Sequence, residues 1–272
     1  MNILEKIIAR KQQEISESKK IRSISDLEKE PLFARKTSSL ASALRSSATP
    51  RIISEFKRKS PSKGVINGNV LPEIVTNDYV NAGAVGLSVL TDLDFFGGSF
   101  ADFLKARDTN PHIPMLRKDF IVDEYQLFEA KSIGADVILL IAACLTASEI
   151  GTLSKRAHDL GLEVLLEVHN AEELAVSVGE DIDIVGVNNR NLKTFETSIE
   201  TSIELSELIP DQFVKISESG LKDAETILRL FQYGYKGFLI GETFMKTVNP
   251  GAALAGLQQN LTQHSNLNPL VL

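Results

Sequence analysis

At 272 residues, 43% hydrophobic and 24% charged, the chain has the make-up of a soluble globular protein with room for one large α/β domain or two small ones. Its formal net charge of −7 argues against a nucleic-acid binder, which would carry a basic footprint, although a local group of lysines could still hold an anion. The single cysteine, Cys144, excludes an internal disulfide and fits a reducing compartment; its apolar setting, LLIAACLT, marks a buried structural thiol rather than a nucleophile.

The amino-terminal MNILEKIIARKQQEI has no apolar core long enough for a signal peptide, and no run reaches membrane-spanning length. A cytoplasmic protein with no membrane partner is expected. Leu4, Ile7, Ile8 and Ile15 fall at helical spacing with Lys and Glu on the other face, and a second short helix is expected over Ser39–Leu44. Residues 1–47 thus read as a helical extension packed over one end of a main domain spanning 48–272.

That domain begins with RIISEFKRKSPSKG, Arg51–Gly64, whose β-branched start reads as a strand. Alternation puts Ile53, Glu55 and Lys57 on one face. A charge pair at the end of an otherwise buried strand is costly to desolvate unless something polar meets it, which makes Glu55 and Lys57 site candidates; the plainer reading is a solvated surface pair. Ser60, Pro61, Ser62 and Gly64 break the strand into a loop.

From there a unit recurs: an amphipathic helix, a glycine, then an apolar strand. Gly83, Gly134, Gly161 and Gly234 stand where helices need a left-handed residue to end, and Pro72 and Thr146–Glu149 carry helix-start signals. Strands are expected near 52–57, 85–90, 114–119, 136–141, 163–168, 183–188, 213–218 and 237–241. Eight alternating units point to an α/β protein of the (β/α)8 TIM barrel class, with a doubly wound open sheet as the alternative. No GxGxxG follows a strand and no GxxxxGK[ST] occurs, which removes support for nucleotide-binding versions of the open sheet.

Barrel active sites form at the carboxyl ends of the strands, and these ends carry one kind of chemistry. Lys118 and Asp119 end strand three, Glu167 strand five, Asn188 with Asn189 and Arg190 strand six, Glu218, Ser219 and Gly220 strand seven, and Gly241 and Glu242 strand eight. Lysines and glutamates brought to one rim would couple, at roughly 4 kcal/mol for a unit pair about 4 Å apart, enough to make an acid of one and a base of another. SESG and IGET set Gly220 and Gly241 where backbone N–H groups can close on a phosphate. Phe95, Phe96 and Phe120 suggest an aromatic wall. No metal site is indicated, because His112, His158, His169 and His264 are scattered. His169, past the end of its strand, is read as lying on the opposite parity from Glu167 and is left out.

With these residues in view, the chain resembles the indole-3-glycerol-phosphate synthase family of tryptophan biosynthesis over nearly its whole length. The carrying motifs are IISEFKRKSPSKG (52–64), LRKDFIVDEYQ (116–126), LLEVHN (165–170), VGVNNRNL (185–192), ISESGL (216–221) and GFLIGETFM (237–245). The resemblance implies a phosphorylated small-molecule substrate, 1-(2-carboxyphenylamino)-1-deoxyribulose 5-phosphate, converted to indole-3-glycerol phosphate, carbon dioxide and water by acid–base ring closure, decarboxylation and dehydration, with no cofactor. It further implies Lys118 as the proton donor to the ketone oxygen, Lys57 at the substrate carboxylate or phosphate, Glu167 as base or stabiliser, and Glu55 holding the lysines. Ser60, Phe96, Phe120, Asn188, Arg190 and Glu218 would bind substrate, with Phe96 and Phe120 on the anthranilate ring; Ser219, Gly220, Gly241 and Glu242 would join Lys57 at the phosphate.

Two alternatives stay open on the residues alone: a Schiff-base aldolase using Lys57 or Lys118, and a catalytically inactive barrel that binds a phosphorylated metabolite. A monomer is expected, and a fused bifunctional form is not.

Overall fold

The computed structural model describes residues 2–192 and 194–267; the expected barrel span to 272 runs past them. Among the described residues, eight parallel strands close a barrel, β1 (Arg51–Phe56), β2 (Gly86–Leu90), β3 (Met115–Lys118), β4 (Val137–Ile141), β5 (Glu163–Val168), β6 (Ile184–Asn188), β7 (Val214–Glu218) and β8 (Gly237–Ile240). Each strand pairs with its neighbours in chain order, and β1 closes the ring on β8 through Arg51↔Gly237 and Ile53↔Leu239. All eight expected strands are present, with every boundary within one residue. The open-sheet alternative is thereby excluded.

The punctuation works as its chemistry requires. Gly83, Gly134, Gly161 and Gly234 all have φ between +71 and +93, turning each chain from helix into strand where a side chain would be strained. Pro72 opens the helix Pro72–Asn81, and Thr146 and Glu149 form a reciprocal capping box for Ala147–Asp159.

Apolar side chains fill two layers. Ile52, Phe56, Leu87 and Val89 face outward under the helices, while Ile53, Leu116, Leu139, Leu165, Ile216 and Leu239 fill the barrel interior. Strands buried on both faces must be apolar throughout, which is why they read as continuous runs.

The amino-terminal segment reaches both ends of the barrel, not one. The short helix expected over Ser39–Leu44 is Leu40–Arg45, one residue later, because the Ser39 hydroxyl accepts from the Ser42 N–H and so caps the helix. Leu40 and Leu44, fully buried, plug the amino-terminal mouth. Glycines make the room: a Cβ on Gly86 would sit 2.7 Å from Leu40 Cδ1, and one on Gly237 would sit 3.0 Å from Leu44 Cδ2. Glu163, at the foot of β5, accepts from the N–H groups of Leu40 (2.8 Å) and Ala41 (3.0 Å). The first helix, Ile3–Ile21, instead lies at the opposite rim, where Ile3, Leu4 and Ile7 line a cavity.

Short elements that were not anticipated include a helical turn, Ile24–Leu27, capped by Ser23, and an antiparallel hairpin pairing Lys59–Ser60 with Gly64–Val65 inside the loop after β1. Among the described residues, no helix is long and apolar enough to cross a membrane.

Candidate active site

A cavity of about 420 Å³ opens at the carboxyl ends of the strands, within the size range of small-molecule sites. Its floor is a layer of four side chains, Glu55, Lys118, Glu167 and Glu218, contributed by β1, β3, β5 and β7. Alternate strands supplying one layer is how the stagger of an eight-stranded barrel arranges inward-pointing positions. Residues far apart in the chain therefore meet.

The Lys118 ammonium lies 2.8 Å from Glu167 Oε2 and 2.8 Å from Glu218 Oε2. The Lys57 ammonium lies 2.5 Å from Glu55 Oε1, whose other oxygen is 3.5 Å from the Ser88 hydroxyl. Glu55 was expected to hold both lysines; here it pairs with Lys57, while Glu218, expected only as a substrate contact, shares Lys118 with Glu167. Asn188 Nδ2 donates to Glu167 Oε1 at 3.1 Å. Two glycines admit the carboxylates: a Cβ on Gly241 would stand 2.5 Å from Glu55 Oε1, and one on Gly186 would stand 2.7 Å from Glu218 Oε1.

The electrostatics follow from burial and pairing. Burial alone would favour a neutral Lys118, but the Glu167 and Glu218 carboxylates outweigh it and hold the ammonium above its ordinary range. Burial pushes Glu167 up, and Lys118 with His169 more than reverses that, keeping it ionised well below the usual carboxylate range. Burial dominates at Glu218, where Lys118 only partly compensates and the Glu167 carboxylate adds repulsion, so that it rises to about 7. Two glutamates on one lysine are thus pushed in opposite directions, the condition for dividing acid and base roles.

His169 belongs with this group, contrary to the sequence reading. A spacing of two along a strand keeps the face, and His169 Nε2 lies 3.3 Å from Glu167 Oε1. Its Nδ1 is 3.1 Å from Glu173 Oε2, and burial, which would lower it, is outweighed by the two carboxylates, so the imidazole is raised to about 9.

Across the cavity the chain turns sharply after β7. Ser219 and Gly220 have φ of +67 and +74, two successive left-handed residues. Asn189 fixes this turn from beneath, its Nδ2 donating to the Ser219 carbonyl (3.0 Å) and to Ser217 Oγ (2.9 Å). Gly241 caps the short helix Glu242–Met245 beside it. Glu242 is itself tied down by Arg190, 3.4 Å away, and by Lys63 at 3.9 Å.

At the third side Phe96 and Phe120 face each other with ring centroids 5.9 Å apart, and both line the cavity, as do Ser60 and Arg190. Phe95 does not line it. Ile3, Leu4 and Ile7, which the sequence reading did not enlist, complete this apolar end. Cys144 packs partly buried beside the barrel interior, with burial pushing its thiol up to about 12, far from a thiolate nucleophile.

The chain is similar to known proteins along nearly its whole length. The family model described as indole-3-glycerol phosphate synthase matches residues 4–257. An indole-3-glycerol phosphate synthase from Bacteroides thetaiotaomicron is 49% identical over 253 residues, covering 93% of this chain and 96% of the relative. One from Laribacter hongkongensis is 41% identical over 260 residues, covering 94% and 98%. Among solved structures, 3-hexulose-6-phosphate synthase from Salmonella typhimurium superposes with a TM-score of 0.63 at 13% identity, covering 79% of this chain and 99% of that one. The tryptophan synthase alpha subunit from Legionella pneumophila gives 0.60 at 13% identity, covering 84% and 97%. These last two share the fold alone. Matched along nearly its full length, the chain belongs to the indole-3-glycerol phosphate synthase family, TIM-barrel carboxy-lyases of tryptophan biosynthesis.

Proposed function

We propose that Lys118 is the general acid of this enzyme and that the three sides of the cavity divide the substrate between them. The observation that carries this reading is the Lys118 ammonium, half-buried on the cavity floor and fixed by two carboxylates at 2.8 Å each. The substrate, 1-(2-carboxyphenylamino)-1-deoxyribulose 5-phosphate, has an anthranilate ring suited to Phe96 and Phe120, and a phosphate suited to the turn of Ser219 and Gly220, the N–H groups at Gly241 and Glu242, and Lys57. Its ketone then falls between, over the four-residue floor, with Asn188, Ser60 and Arg190 at the polar groups along the chain.

In the first step the ring carbon bearing the carboxylate attacks the ketone carbon, forming the new C–C bond. The ketone oxygen takes a proton from Lys118; as it becomes an alkoxide it is more basic than the amine, so a tightly held ammonium can still deliver. The nitrogen is left cationic, which the ionised Glu167 stabilises. Carbon dioxide departs, its bonding pair returning aromaticity to the ring. Dehydration then needs a proton on the leaving hydroxyl and a base for the hydrogen on the carbon next to nitrogen. Lys57, positioned by Glu55, is the acid within reach, and Glu167 or Glu218 the base. A buried carboxylate near 7 exchanges protons readily at neutral pH.

A Schiff-base role for Lys118 is disfavoured, because an amine nucleophile needs a lowered pKa and this one is raised. The lone cysteine supports a cytoplasmic setting; residues 1–47 are read as an extension of a single catalytic barrel. Fluorescence of indole-3-glycerol phosphate with release of one carbon dioxide per turnover tests the reaction. No turnover by folded protein would favour the metabolite-binding reading, and a borohydride-trapped adduct at Lys57 or Lys118 would favour the aldolase.

A further inference from the structure

We infer that Lys11, on the amino-terminal helix, is a positioning residue that sets the gap between the two aromatic walls of the substrate pocket. The inference rests on the assignment of Phe96 and Phe120 to the anthranilate ring.

Lys11 is 4% exposed although it sits on a helix that reads as a surface element. Its ammonium is 3.0 Å from Asp92 Oδ2, 3.0 Å from Asp119 Oδ1 and 2.7 Å from Glu14 Oε2. The two aspartates belong to different loops, and each holds the backbone of one wall. Asp92 Oδ1 accepts from the N–H groups of Phe95 (2.8 Å) and Phe96 (3.2 Å), while Asp119 Oδ1 accepts from the Phe120 N–H at 2.9 Å. One buried cation therefore ties together the two loops whose rings stand 5.9 Å apart. The same helix lays Ile3, Leu4 and Ile7 against the cavity, and Arg10 grips Asp94 of the Phe96 loop at 2.6 Å.

The two loops depend on Lys11 unequally. Asp119 also has Arg117 at 3.0 Å and the Thr91 hydroxyl at 2.6 Å. Among the described residues, Lys11 is the only cation paired with Asp92, which is 1% exposed. Removing the ammonium leaves a buried, uncompensated carboxylate on the Phe96 loop, and such a group shifts or protonates. The Phe96 wall moves; Lys118, Glu167 and Glu218, which Lys11 does not touch, stay.

The test is steady-state kinetics on Lys11→Met, with Kd for the borohydride-reduced substrate measured alongside. KM and Kd are expected to rise about tenfold with kcat changed less than about threefold, the pattern of lost ground-state binding. Adding Asp92→Asn, which removes the stranded charge but keeps an acceptor for Phe96, should restore KM. Lys19→Met, which breaks the pair with Asp123 on the same helix, should leave KM alone. Lys11→Gln carries the test if the methionine variant does not fold. Unchanged KM in the Lys11 variant, an equal rise with Lys19→Met, or failure of both Lys11 variants to fold would overturn the assignment. A wild type that neither turns over nor binds the reduced substrate would overturn the site reading and this inference with it.

Discussion

Replacing Lys118 by methionine keeps most of the side chain and removes its charge, with two separable consequences. For catalysis, a general acid contributes roughly 10²–10⁴ in rate, so kcat for indole-3-glycerol phosphate formation should fall by that factor. For stability, both carboxylates lie 2.8 Å from the departed ammonium, so their oxygens are within twice that distance of each other. Without the cation they repel by about 3 kcal/mol at an effective dielectric of about 20. Breaking a buried pair costs roughly 3–5 kcal/mol when the remaining charge cannot be relieved. Here it can be relieved by a proton, since Glu218 already stands near 7 with the lysine in place. Its folded pKa in the variant then lies still further above the unfolded value, so the stability gained from protonation is complete in acid and lost as pH rises through the folded pKa. Lys118→Met should therefore be more strongly destabilised, relative to wild type, at pH 8 than at pH 5. Urea titrations at the two pH values read the second effect, and the fluorescence assay reads the first. Near-normal turnover would remove Lys118 from the acid role, and a stability deficit independent of pH would refute the shared-lysine geometry.

Glu167→Gln keeps the shape of the side chain but removes the charge offered to the cationic intermediate; kcat should fall about a hundredfold or more, judged by the same assay with circular dichroism as folding control. His169→Gln tests the imidazole beside Glu167. Because the folded His169 titrates near 9 rather than 6.5, its contribution, roughly 3 kcal/mol at most, is complete below about pH 6.5 and lost as pH rises through 9. The stability gap between wild type and variant should close between pH 6 and pH 10, and a constant gap would contradict the pairing. Gly241→Ala would drive a methyl to 2.5 Å from Glu55 Oε1 and 2.9 Å from its Cβ. Glu55 must then turn away from Lys57, so turnover should drop at least tenfold with KM for substrate also raised; an unimpaired alanine variant would show that the Glu55 position is not critical.

The barrel was legible because its strands are buried on both faces and its helices end in glycine, so both apolar runs and punctuation are local signals. The site was legible as a set, since β1, β3, β5, β6, β7 and β8 all end in polar groups. Its pairings were not. Which carboxylate meets which lysine depends on the stagger of the closed sheet, which brings β3, β5 and β7 into one layer, and no local pattern reports that Glu218 rather than Glu55 joins Glu167 on Lys118. His169 was within reach of the sequence, because two residues along a strand return to the same face. Lys11 was not: on its helix it is one of many cations, and only the tertiary approach of Asp92 and Asp119 distinguishes it. The hairpin at Lys59–Val65 was hidden for a similar reason, as two-residue strands carry no periodicity.

In the proposed binding mode one end of the cavity holds phosphate, the other an aromatic ring, and Lys118 stands at the carbon between them. A crystal structure with the borohydride-reduced substrate, whose hydroxyl replaces the ketone oxygen, tests this most directly. That hydroxyl is expected within hydrogen-bond distance of Lys118 Nζ, the ring between Phe96 and Phe120, and the phosphate on the Ser219, Gly220 and Gly241 backbone. A ligand bound in the reverse sense, or with its hydroxyl on Lys57 and Lys118 still held between Glu167 and Glu218, would contradict it.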